Sequence, residues 1–590
     1  MRALVTSSGQ RHYLLQQVLD RPGFWSLICY LGAIYYASLI LDYRNAEHTR
    51  ISEHALMPGL VVERFDKDGQ VVEYLQGLRE QKDHKRSYIC QVMKQNGMSC
   101  HTQRWWSALK VTNISGTNIY AVLRAPRAVG VEAIVFAVDL HQREAAAMVM
   151  AYAAFARQQI YWARDLFFVF VDGGAPGMDA WLSEYHLVRH SALRADRLPE
   201  MGGVIIGGVA VKSHTGNSLP HLKLEVNHLN GQLPNLDLLN SMVRIAGSGK
   251  FAISPVIYDA PHQEQDGKDS HMLVPLRAIY TQAFVAVVGL HSLMGKYGVQ
   301  AITVAVPPLN LFPVRKSTRL LEAIARALNN VLERFHQSYF LYILTSPDNF
   351  VSIAYFMPII GGLLLPLAIF AYRDWTNLYE LVFPRSLLVM HAVGLLSWWL
   401  CSTYFSYYTS NPRADVMYMG ISMVIPWGLL LPSPVTEIRS LRFFLLLECC
   451  LATASVSLVN FSLAVCFALL AVPLMVKCTM DNDSKSRAFV RTALVLACHP
   501  AGIMTVFLFY GRPILGFRKT PAAGPDFLIS ALLRLIKEHL VYGSNVLPLL
   551  LVLVLPMWNS MLSLALVKIK KVEAVEHDGT AELENKEVKS

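Results

Sequence analysis

The order of apolar segments along the chain is the feature that most limits its fold. A single apolar segment, 24–41, is followed by the long mixed stretch 42–349 and then by closely spaced apolar segments. Residues 24–41 carry no charge and are long enough to cross about 30 Å of hydrocarbon at 1.5 Å per residue. They run directly into residues 41–45, Leu-Asp-Tyr-Arg-Asn, with no small-residue cleavage site. We therefore predict a retained signal anchor, not a cleaved signal peptide.

The composition fits a chain that is part membrane protein and part folded domain. Hydrophobic residues make up 53% of the chain and charged residues 16%. The first value is high for a soluble protein, and the second is high for a bare bundle of membrane helices. The net charge is +10. In a membrane protein, basic residues report orientation first, so we predict no nucleic-acid function.

Seven further spans are predicted in the second half of the chain, which makes eight in total. An even number puts both termini on one side of the membrane. Basic residues in the N-terminal segment 1–23 and a lysine cluster in the tail 568–590 mark that side as cytosolic. The stretch 42–349 is then predicted to be lumenal. The seven spans are 350–372, 386–409, 415–433, 441–457, 459–478, 489–511 and 545–567.

Two stretches fit this count poorly. The loop 512–544 is rich in Arg and Lys, yet it falls on the lumenal side. Residues 526–541 within it have helical apolar spacing, so we predict a helix that lies in the membrane interface. The second stretch is 441–478, because dividing it into two spans leaves almost no loop.

The lumenal stretch carries two cysteines and one glycosylation sequon. Cys90 and Cys100 could form a disulfide in an oxidising lumen, or both could remain buried thiols. The sequence Asn113-Ile114-Ser115 is a glycan acceptor in such a compartment. A second sequon begins at Asn460, but it lies inside a predicted span and would be out of reach.

Short apolar runs alternate with helical patterns in the stretch 42–349. Buried runs bounded by Gly and Pro and interleaved with helices are typical of a doubly wound α/β sheet with both faces covered. One domain fits this length. The predicted strands are 117–123, 132–138, 166–171, 204–211, 222–226 and 301–306, and the predicted helices are 70–96, 143–159, 178–186, 236–245, 276–288 and 317–344.

Four long strings resemble one known family. They are GTNIYAVLRAPR (116–127), QIYWARDLFFVF (159–170), LNGQLPNLDLLN (229–240) and NVLERFHQSYFLYIL (330–344). In this order, and with SEHAL (52–56) after the first span, the sequence resembles the GPI-anchor attachment family, the Gaa1-type subunit of the endoplasmic-reticulum GPI transamidase.

The resemblance implies a fold, a location and a set of partners. It implies a lumenal domain related in fold to zinc aminopeptidases, in a multi-pass protein of the endoplasmic-reticulum membrane. The implied function is to scaffold the complex and to help bind and present the GPI glycolipid. The implied partners are a caspase-like cysteine protease subunit, other membrane subunits and precursor proteins with a C-terminal GPI signal.

The residues expected for a zinc site are largely missing. In aminopeptidases of that type, His-x-Asp ends one strand and a glutamate pair ends another. Here the first strand ends Ala137-Val138-Asp139, and the second ends Val171-Asp172. We therefore predict no metal, no cofactor and no catalytic residue, with Asp139 and Asp172 as loop or cap hydrogen-bonding groups. The alternative is a membrane-bound zinc-dependent peptidase or peptide synthetase that uses these two aspartates.

Pro556 interrupts the last predicted span. It leaves the carbonyl of Val552 without its helical hydrogen bond, which costs several kcal/mol in lipid unless another group donates. Trp558 and Asn559 follow it. The site is either a tolerated kink or a groove for the GPI lipid. The family resemblance supports the groove, because a proline in the family's last span is linked to GPI recognition.

Two other positions are predicted to make contacts near or within the membrane. Glu448 lies inside a span, where a charged carboxylate costs about 2.5–3.5 kcal/mol, so we expect it to contact another helix or to be protonated. Contact between helices of a complex is favoured over ligand contact. Ser52 and Glu53 are predicted to make lumenal contacts near the membrane surface, where the family places substrate or subunit contacts.

Overall fold

The computed structural model describes most of the chain in defined ranges. The described residues are 17–52, 56–57, 62–65, 68–81, 83–127, 130–213, 221–248, 250–251, 253–258, 272–285, 287, 289–307, 314–331, 333–336, 338–378, 381–424, 437–479, 485–500, 502–503 and 525–566. Glu53, the tail 568–590 and most of the segment 1–23 lie outside these ranges, as do large parts of the predicted spans 415–433 and 489–511.

The described strands form two sheets. Nine strands build a mixed sheet in the order β6-β2-β3-β5-β4-β7-β10-β8-β9, and three build a small antiparallel sheet in the order β1-β12-β11. The strands are β1 Glu47–His48, β2 Ser99–Ser107, β3 Ser115–Leu123, β4 Glu132–Asp139, β5 Asp165–Val171, β6 Leu193–Ala195, β7 Val204–Ser213, β8 Leu222–Glu225, β9 Pro255–Ile257, β10 Gln300–Val306, β11 Tyr342–Leu344 and β12 Asn349–Ser352.

The described helices divide between the folded domain and the apolar half of the chain. They are α1 Pro22–Ile40, α2 Asp68–Glu80, α3 Lys85–Gln95, α4 Arg143–Arg157, α5 Ala175–Tyr185, α6 Leu236–Gly247, α7 Leu273–Phe284, α8 His291–Met294, α9 Val314–Asn330, α10 Ile353–Thr376, α11 Arg385–Tyr407, α12 Pro412–Val424, α13 Ile438–Val459, α14 Phe461–Thr479, α15 Lys485–Ala497, α16 Pro525–Lys537 and α17 Val546–Leu566.

The centre of the large sheet is parallel and buried on both faces. β5, β4, β7 and β10 run parallel, and all seven residues of β5 are buried. A continuous apolar strand is stable only where helices cover both faces, since either exposed face would put its side chains in water. Helix α4 covers one face and is buried along most of its length, whereas α5 packs on the other. The predicted α/β fold class is confirmed.

Six of the twelve described strands were not predicted from the sequence: β1, β2, β6, β9, β11 and β12. The predicted helix 70–96 is wrong as a single helix, because α2 ends at Glu80 and α3 begins at Lys85. β2 pairs with β3 over eight residues, from Ser99 opposite Val122 to Trp106 opposite Ser115. Helix α9 ends at Asn330, so the predicted helix 317–344 is wrong beyond that residue. Residues Tyr342–Leu344 form β11 instead, because they pair with β12 at the start of the next span.

The small sheet joins the two ends of the folded domain. β1 follows α1 and pairs with β12, with Glu47 opposite Phe350, and β12 leads directly into α10. Helices α1 and α10 pack closely. A Cβ atom added to Gly362 would lie 2.8 Å from the Cβ of Ala33, so only glycine allows this approach. The domain 42–349 is thus inserted between two adjacent helices.

Six of the described helices are long and apolar enough to cross a membrane, by length and composition. They are α1, α10, α11, α13, α14 and α17. Helices α13 and α14 are separated only by Asn460, so the stretch 441–478 holds two helices with a one-residue turn. The chain is a multi-pass membrane protein. The count of eight spans stays a prediction, because parts of two further spans lie outside the described residues.

One end of the helical bundle contacts the folded domain. The backbone N–H of Lys110 donates to the carbonyl of Ser406 at the end of α11, over 2.9 Å. The Asn460 side chain donates to the carbonyl of Gln282 over 3.0 Å, and Asn545 N–H donates to the side chain of Asn230 over 2.9 Å. The C-terminal end of α11, the α13–α14 turn and the start of α17 therefore share one side of the bundle.

Candidate functional site

The parallel strands end together at one edge of the large sheet, where α/β enzymes usually carry their chemistry. Asp172 follows β5 at this edge. Its carboxylate accepts from the Arg86 guanidinium over 2.5 Å and from the backbone N–H of Thr117 over 2.9 Å. His141 Nε2 lies 3.4 Å from the other carboxylate oxygen. Asp172 is therefore held by an arginine, a backbone amide and a histidine.

Asp139, at the end of β4, makes a loop contact. Its Oδ1 atom accepts from the backbone N–H of His141 over 2.8 Å. Among the described residues, no group of three His, Cys, Asp or Glu side chains is placed to hold a metal ion. Both aspartates at this edge accept hydrogen bonds from neighbouring groups.

A tryptophan fills the space above the end of β5. Gly173 has φ of +76°, and a Cβ atom there would lie 2.7 Å from the ring of Trp105. Trp105 is 1% exposed and packs between this glycine and Gly116. The strand end is therefore closed by aromatic packing.

A buried network of charged groups joins α5 to the segment before β10. Asp179 lies 2.9 Å from His190 Nε2 and 3.1 Å from Lys296 Nζ, and it accepts from the Tyr297 hydroxyl over 2.6 Å. Burial raises the pKa of Asp179, but its hydrogen bond with His190 and the charge of Lys296 outweigh burial and lower it. Backbone N–H groups donate to His190 Nδ1, which fixes the ring. All the atoms are mutually satisfied, which is typical of a structural network.

Pro556 lies where helices α11 and α17 approach each other closely. A wide turn at Leu550–Val554 precedes it in α17, consistent with the helical hydrogen bond that proline cannot make. Helix α11 meets this turn through Gly394. A Cβ atom on Gly394 would lie 2.5 Å from the Leu551 carbonyl oxygen and 2.9 Å from Pro556 Cγ. The wide turn and the glycine together shape the space between α11 and α17.

That space is a cleft of about 480 Å³. On α11 it extends from Met390 to Phe405, or ~22 Å at 1.5 Å per residue, about two thirds of the hydrocarbon thickness. Leu400 is 50% exposed and Tyr404 42%, so the cleft opens sideways. It is lined by Met390, Val393, Gly394, Ser397, Leu400, Cys401, Tyr404, Phe405, Asp415, Tyr418, Leu551, Leu555, Pro556 and Asn559.

The three residues predicted to form one lipid site lie on two faces of α17. Pro556 and Asn559 line the cleft, but Trp558 does not. The Trp558 indole donates to the Val495 carbonyl over 2.8 Å, and its ring lies 4.4 Å from that of His499. It lines a separate apolar cavity of about 380 Å³. The structure therefore brings together two of the three residues and separates the third.

Glu448 finds a partner in this chain. Its Oε1 atom lies 2.7 Å from Nε2 of His391, which is on α11, and His391 Nδ1 lies 2.9 Å from the Leu387 carbonyl oxygen. This contact links α13 to α11 and lies outside the lining of the cleft. It is an interhelical contact within the subunit.

The remaining predicted positions lie in the folded domain. Cys90 and Cys100 form a disulfide, with Cα atoms 5.5 Å apart, which ties α3 to β2. Asn113 is exposed. The Ser52 N–H donates to the carboxylate of Asp237 over 3.0 Å, which docks the segment after the first span on α6. Its predicted neighbour Glu53 lies outside the described residues.

Comparison with known sequences identifies the family. Residues 115–562 match the family described as Gaa1-like, GPI transamidase component. The chain belongs to this family. The match covers most of the large sheet and the helices that form the cleft, so the two halves belong to one family architecture.

Curated members of the Gaa1-like family are similar over most of their length. The chain is 26% identical to the GPI transamidase component GAA1 of Saccharomyces cerevisiae over 502 residues, which cover 80% of this chain and 78% of the yeast protein. It is 25% identical to gaa1 of Schizosaccharomyces pombe over 402 residues, 65% of this chain and 68% of that protein.

Solved structures have a more distant likeness. A Zn-dependent exopeptidase from Bacteroides vulgatus covers 46% of this chain and 98% of its own, with 9% identity and a TM-score of 0.30. Fimbriiglobus ruber glutaminyl cyclase covers 47% and 98%, with 13% identity and a TM-score of 0.31.

Of the residues that line the cleft in this Gaa1-like chain, only Pro556 and Asn559 were predicted from the sequence. Gly394 allows α11 to approach Pro556, and Asp415 and Tyr404 lie at the domain-facing end. A glycine inside a span and an acidic residue at the start of another are visible in the sequence. That they face Pro556 depends on helix packing, which the sequence alone does not give.

Proposed function

We propose that this Gaa1-like chain is a non-catalytic subunit of GPI transamidase. In this proposal it scaffolds the complex and holds the GPI lipid for attachment to the C-terminus of precursor proteins. The observation that carries the proposal is the cleft between α11 and α17, which has the length of an acyl chain, opens sideways and is bordered by Pro556 and Asn559.

The chemical step is assigned to a partner. Amide exchange proceeds through a thioester on an activated cysteine, which we assign to a caspase-like protease subunit. Within the described residues, the free cysteines of this chain lie in or beside the apolar helices and not in the folded domain. Asp172 is already engaged by Arg86 and Thr117. These observations support a scaffolding role for the folded domain.

The proposed location is the endoplasmic-reticulum membrane, with the folded domain in the lumen and both termini in the cytosol. The basic residues of segment 1–23 and the cluster Lys568, Lys570 and Lys571 after the last span support this orientation. The shared domain-facing side of α11, the α13–α14 turn and α17 is compatible with alternating spans. Other membrane subunits would pack on the exposed apolar faces of the helices.

Replacing Pro556 with Leu tests the lipid site. Leucine restores the N–H that proline lacks, so the helical bond to the Val552 carbonyl can form and the wide turn before it can tighten. We expect the Pro556→Leu complex to assemble normally but to retain several-fold less GPI lipid after purification. The readout is mass spectrometry of copurified lipid, normalised to the subunits.

Trp558→Phe is the matched control. It alters the same helix on the face that lines the other cavity. Its lipid content should equal that of the wild type. Equal lipid in the Pro556→Leu and wild-type complexes would return Pro556 to the role of a structural kink.

Metal analysis tests the alternative function of a zinc-dependent peptidase or synthetase. We expect the purified complex to hold no stoichiometric zinc that depends on this chain. We also expect GPI anchoring to be retained in the variants Asp139→Asn and Asp172→Asn. Bound zinc that is lost together with anchoring in both variants would overturn the scaffold proposal.

A further inference from the structure

The cleft between α11 and α17 has a polar end that its lipid-length interior does not explain. Tyr404 lies in the last turn of α11, and Asp415 and Tyr418 lie near the start of α12. All three line the cleft at its domain-facing end, and Tyr418 is 67% exposed. Ser397 and Asn559 are the polar groups deeper in the cleft.

Asp415 is the charged group of this end. Its Oδ2 atom accepts from the Thr409 hydroxyl over 2.6 Å, and Thr409 is buried. The hydroxyl fixes the orientation of the carboxylate without neutralising it. Within the described ranges, no Lys, Arg or His forms an ion pair with Asp415. A carboxylate at the edge of a membrane is stabilised by a cation, so the site favours a positively charged ligand group.

The rest of the lining indicates which part of a lipid is recognised. The described residues that line the cleft include no Lys or Arg, so nothing in them is suited to neutralise a phosphate. The Tyr418 hydroxyl can donate to and accept from sugar hydroxyls, and the Tyr404 hydroxyl, which is hydrogen-bonded to Asp415, can accept from one. A carboxylate flanked by tyrosines above an apolar channel fits an amino sugar attached to a lipid.

We propose that Asp415, with Tyr404 and Tyr418, binds the ammonium group of an amino sugar carried by the lipid whose acyl chain occupies the cleft. This inference rests on the proposed function and names the part of the glycolipid that the site recognises. The ammonium pairs with Asp415, the tyrosine hydroxyls contact the sugar ring, and the acyl chain extends along α11 towards Met390.

Two matched lipids test the proposal on the assembled complex. Glucosaminyl-phosphatidylinositol carries the ammonium, and N-acetylglucosaminyl-phosphatidylinositol differs from it only by the acetyl group that removes the charge. Binding of each to the purified complex is measured in vesicles of neutral phosphatidylcholine. We expect the wild type to prefer the charged lipid by about tenfold, the effect of one charge-assisted hydrogen bond.

The variants assign the preference to Asp415. Asp415→Asn keeps the shape of the side chain and should bind both lipids equally, whereas Asp415→Glu should keep the preference. Glu47→Gln is the control, because Glu47 is an exposed carboxylate on the domain side, next to the first span and outside the cleft lining. Phosphatidylethanolamine serves as a third lipid, since it carries an ammonium without a sugar.

Each result separates this inference from the proposed function. Equal binding of the two sugar lipids by the wild type would overturn the inference even if Asp415→Asn failed to assemble. If phosphatidylethanolamine competed for the site as strongly as the amino-sugar lipid does, the inference would also be overturned, because the sugar would then play no part in binding. A third outcome is that Pro556→Leu lowers the binding of both sugar lipids, whereas Asp415→Asn keeps the wild-type ratio between the binding of the two lipids. The cleft would then be the lipid site, and only the inference about Asp415 would fail.

Discussion

Two buried histidines in the folded domain have environments that keep them neutral. His228 is 3% exposed, with Nε2 2.9 Å from the Ala301 carbonyl oxygen, and His291 is fully buried beside it. Burial lowers the pKa of His228 from 6.5 to about 4, and that of His291 well below its usual value. Neither ring can easily gain a proton while the domain is folded.

These pKa values predict that the folded domain loses stability in mild acid. Below pH 6.5 the unfolded chain binds protons that the folded chain does not, so folding weakens as the pH falls from 6.5 towards 4. A shift of this size in His228 alone corresponds to up to roughly 3 kcal/mol. Thermal unfolding of the purified protein should show a lower midpoint at pH 5 than at pH 7. His228→Gln should be less stable at pH 7 and should show a smaller pH dependence; an unchanged pH dependence would contradict this assignment.

The disulfide between Cys90 and Cys100 gives a second prediction at this scale. It fixes the middle of α3 against the start of β2. Closing a loop of this length restricts the unfolded chain by about 2–3 kcal/mol. We expect the double variant Cys90→Ser, Cys100→Ser to unfold at a lower temperature than the wild type. Thiol labelling of the denatured wild type should leave these two cysteines unmodified unless a reductant is added.

The lipid site predicted from the sequence grouped Pro556 with both Trp558 and Asn559, but only Asn559 lines the same cleft. Residues three apart share a helix face, so Asn559 lies beside Pro556, whereas Trp558 is two residues away and points to another face. That much was visible in the spacing. The partners of these residues were not, because Gly394 and Val495 come from helices that meet α17 only in the folded bundle.

At the scale of elements, the contact between α11 and α17 depends on a residue without a side chain. Gly394→Val would place atoms within 2.5 Å of the Leu551 carbonyl, so the helices must move apart. Overpacking of this kind typically costs about 1–3 kcal/mol. We expect this variant to have a lower unfolding midpoint and to lose the lipid that copurifies with the complex.

Gly361→Val is the control for that prediction. It introduces the same side chain into helix α10, where a Cβ atom has no other atom within 4 Å. The intrinsic effect on helix stability is the same in both variants. Gly361→Val should therefore retain its lipid, and an equal loss in the two variants would contradict a specific role for the α11–α17 contact.

The elements that were predicted incorrectly show what local sequence lacks. Residues 331–344 carry apolar side chains at helical spacing, yet β11 forms there because β12 offers a partner strand. The β2 sequence Ser-Cys-His-Thr-Gln-Arg-Trp-Trp-Ser is polar for a strand, and it is stabilised by pairing with β3 and β6. Pairing with a distant strand can override local preference. The long apolar strands β4 and β5 were predicted closely, because their own sequences already favour a buried strand.

At the scale of the whole molecule, three sequons report orientation. Asn113 is exposed on the folded domain, whereas Asn460 is 8% exposed and bonded to Gln282. A third, Asn482-Asp483-Ser484, follows α14 on the side that the span count assigns to the cytosol. We expect glycosidase treatment to change the electrophoretic mobility of the wild type but not that of Asn113→Gln. Asn460→Gln and Asn482→Gln should behave like the wild type. Glycosylation at Asn482 in place of Asn113 would mean the opposite orientation.

The contact between α1 and α10 affects how the chain is made. The two helices touch in the final structure, but α10 begins roughly 300 residues after α1 ends, which at 5–20 residues per second is about 15–60 s of synthesis. During that time α1 must stay in the bilayer without its neighbour. Its uncharged length makes this possible. Its small residue Ala33, which lies against Gly362 of α10, gains this neighbour only after the domain has been translated.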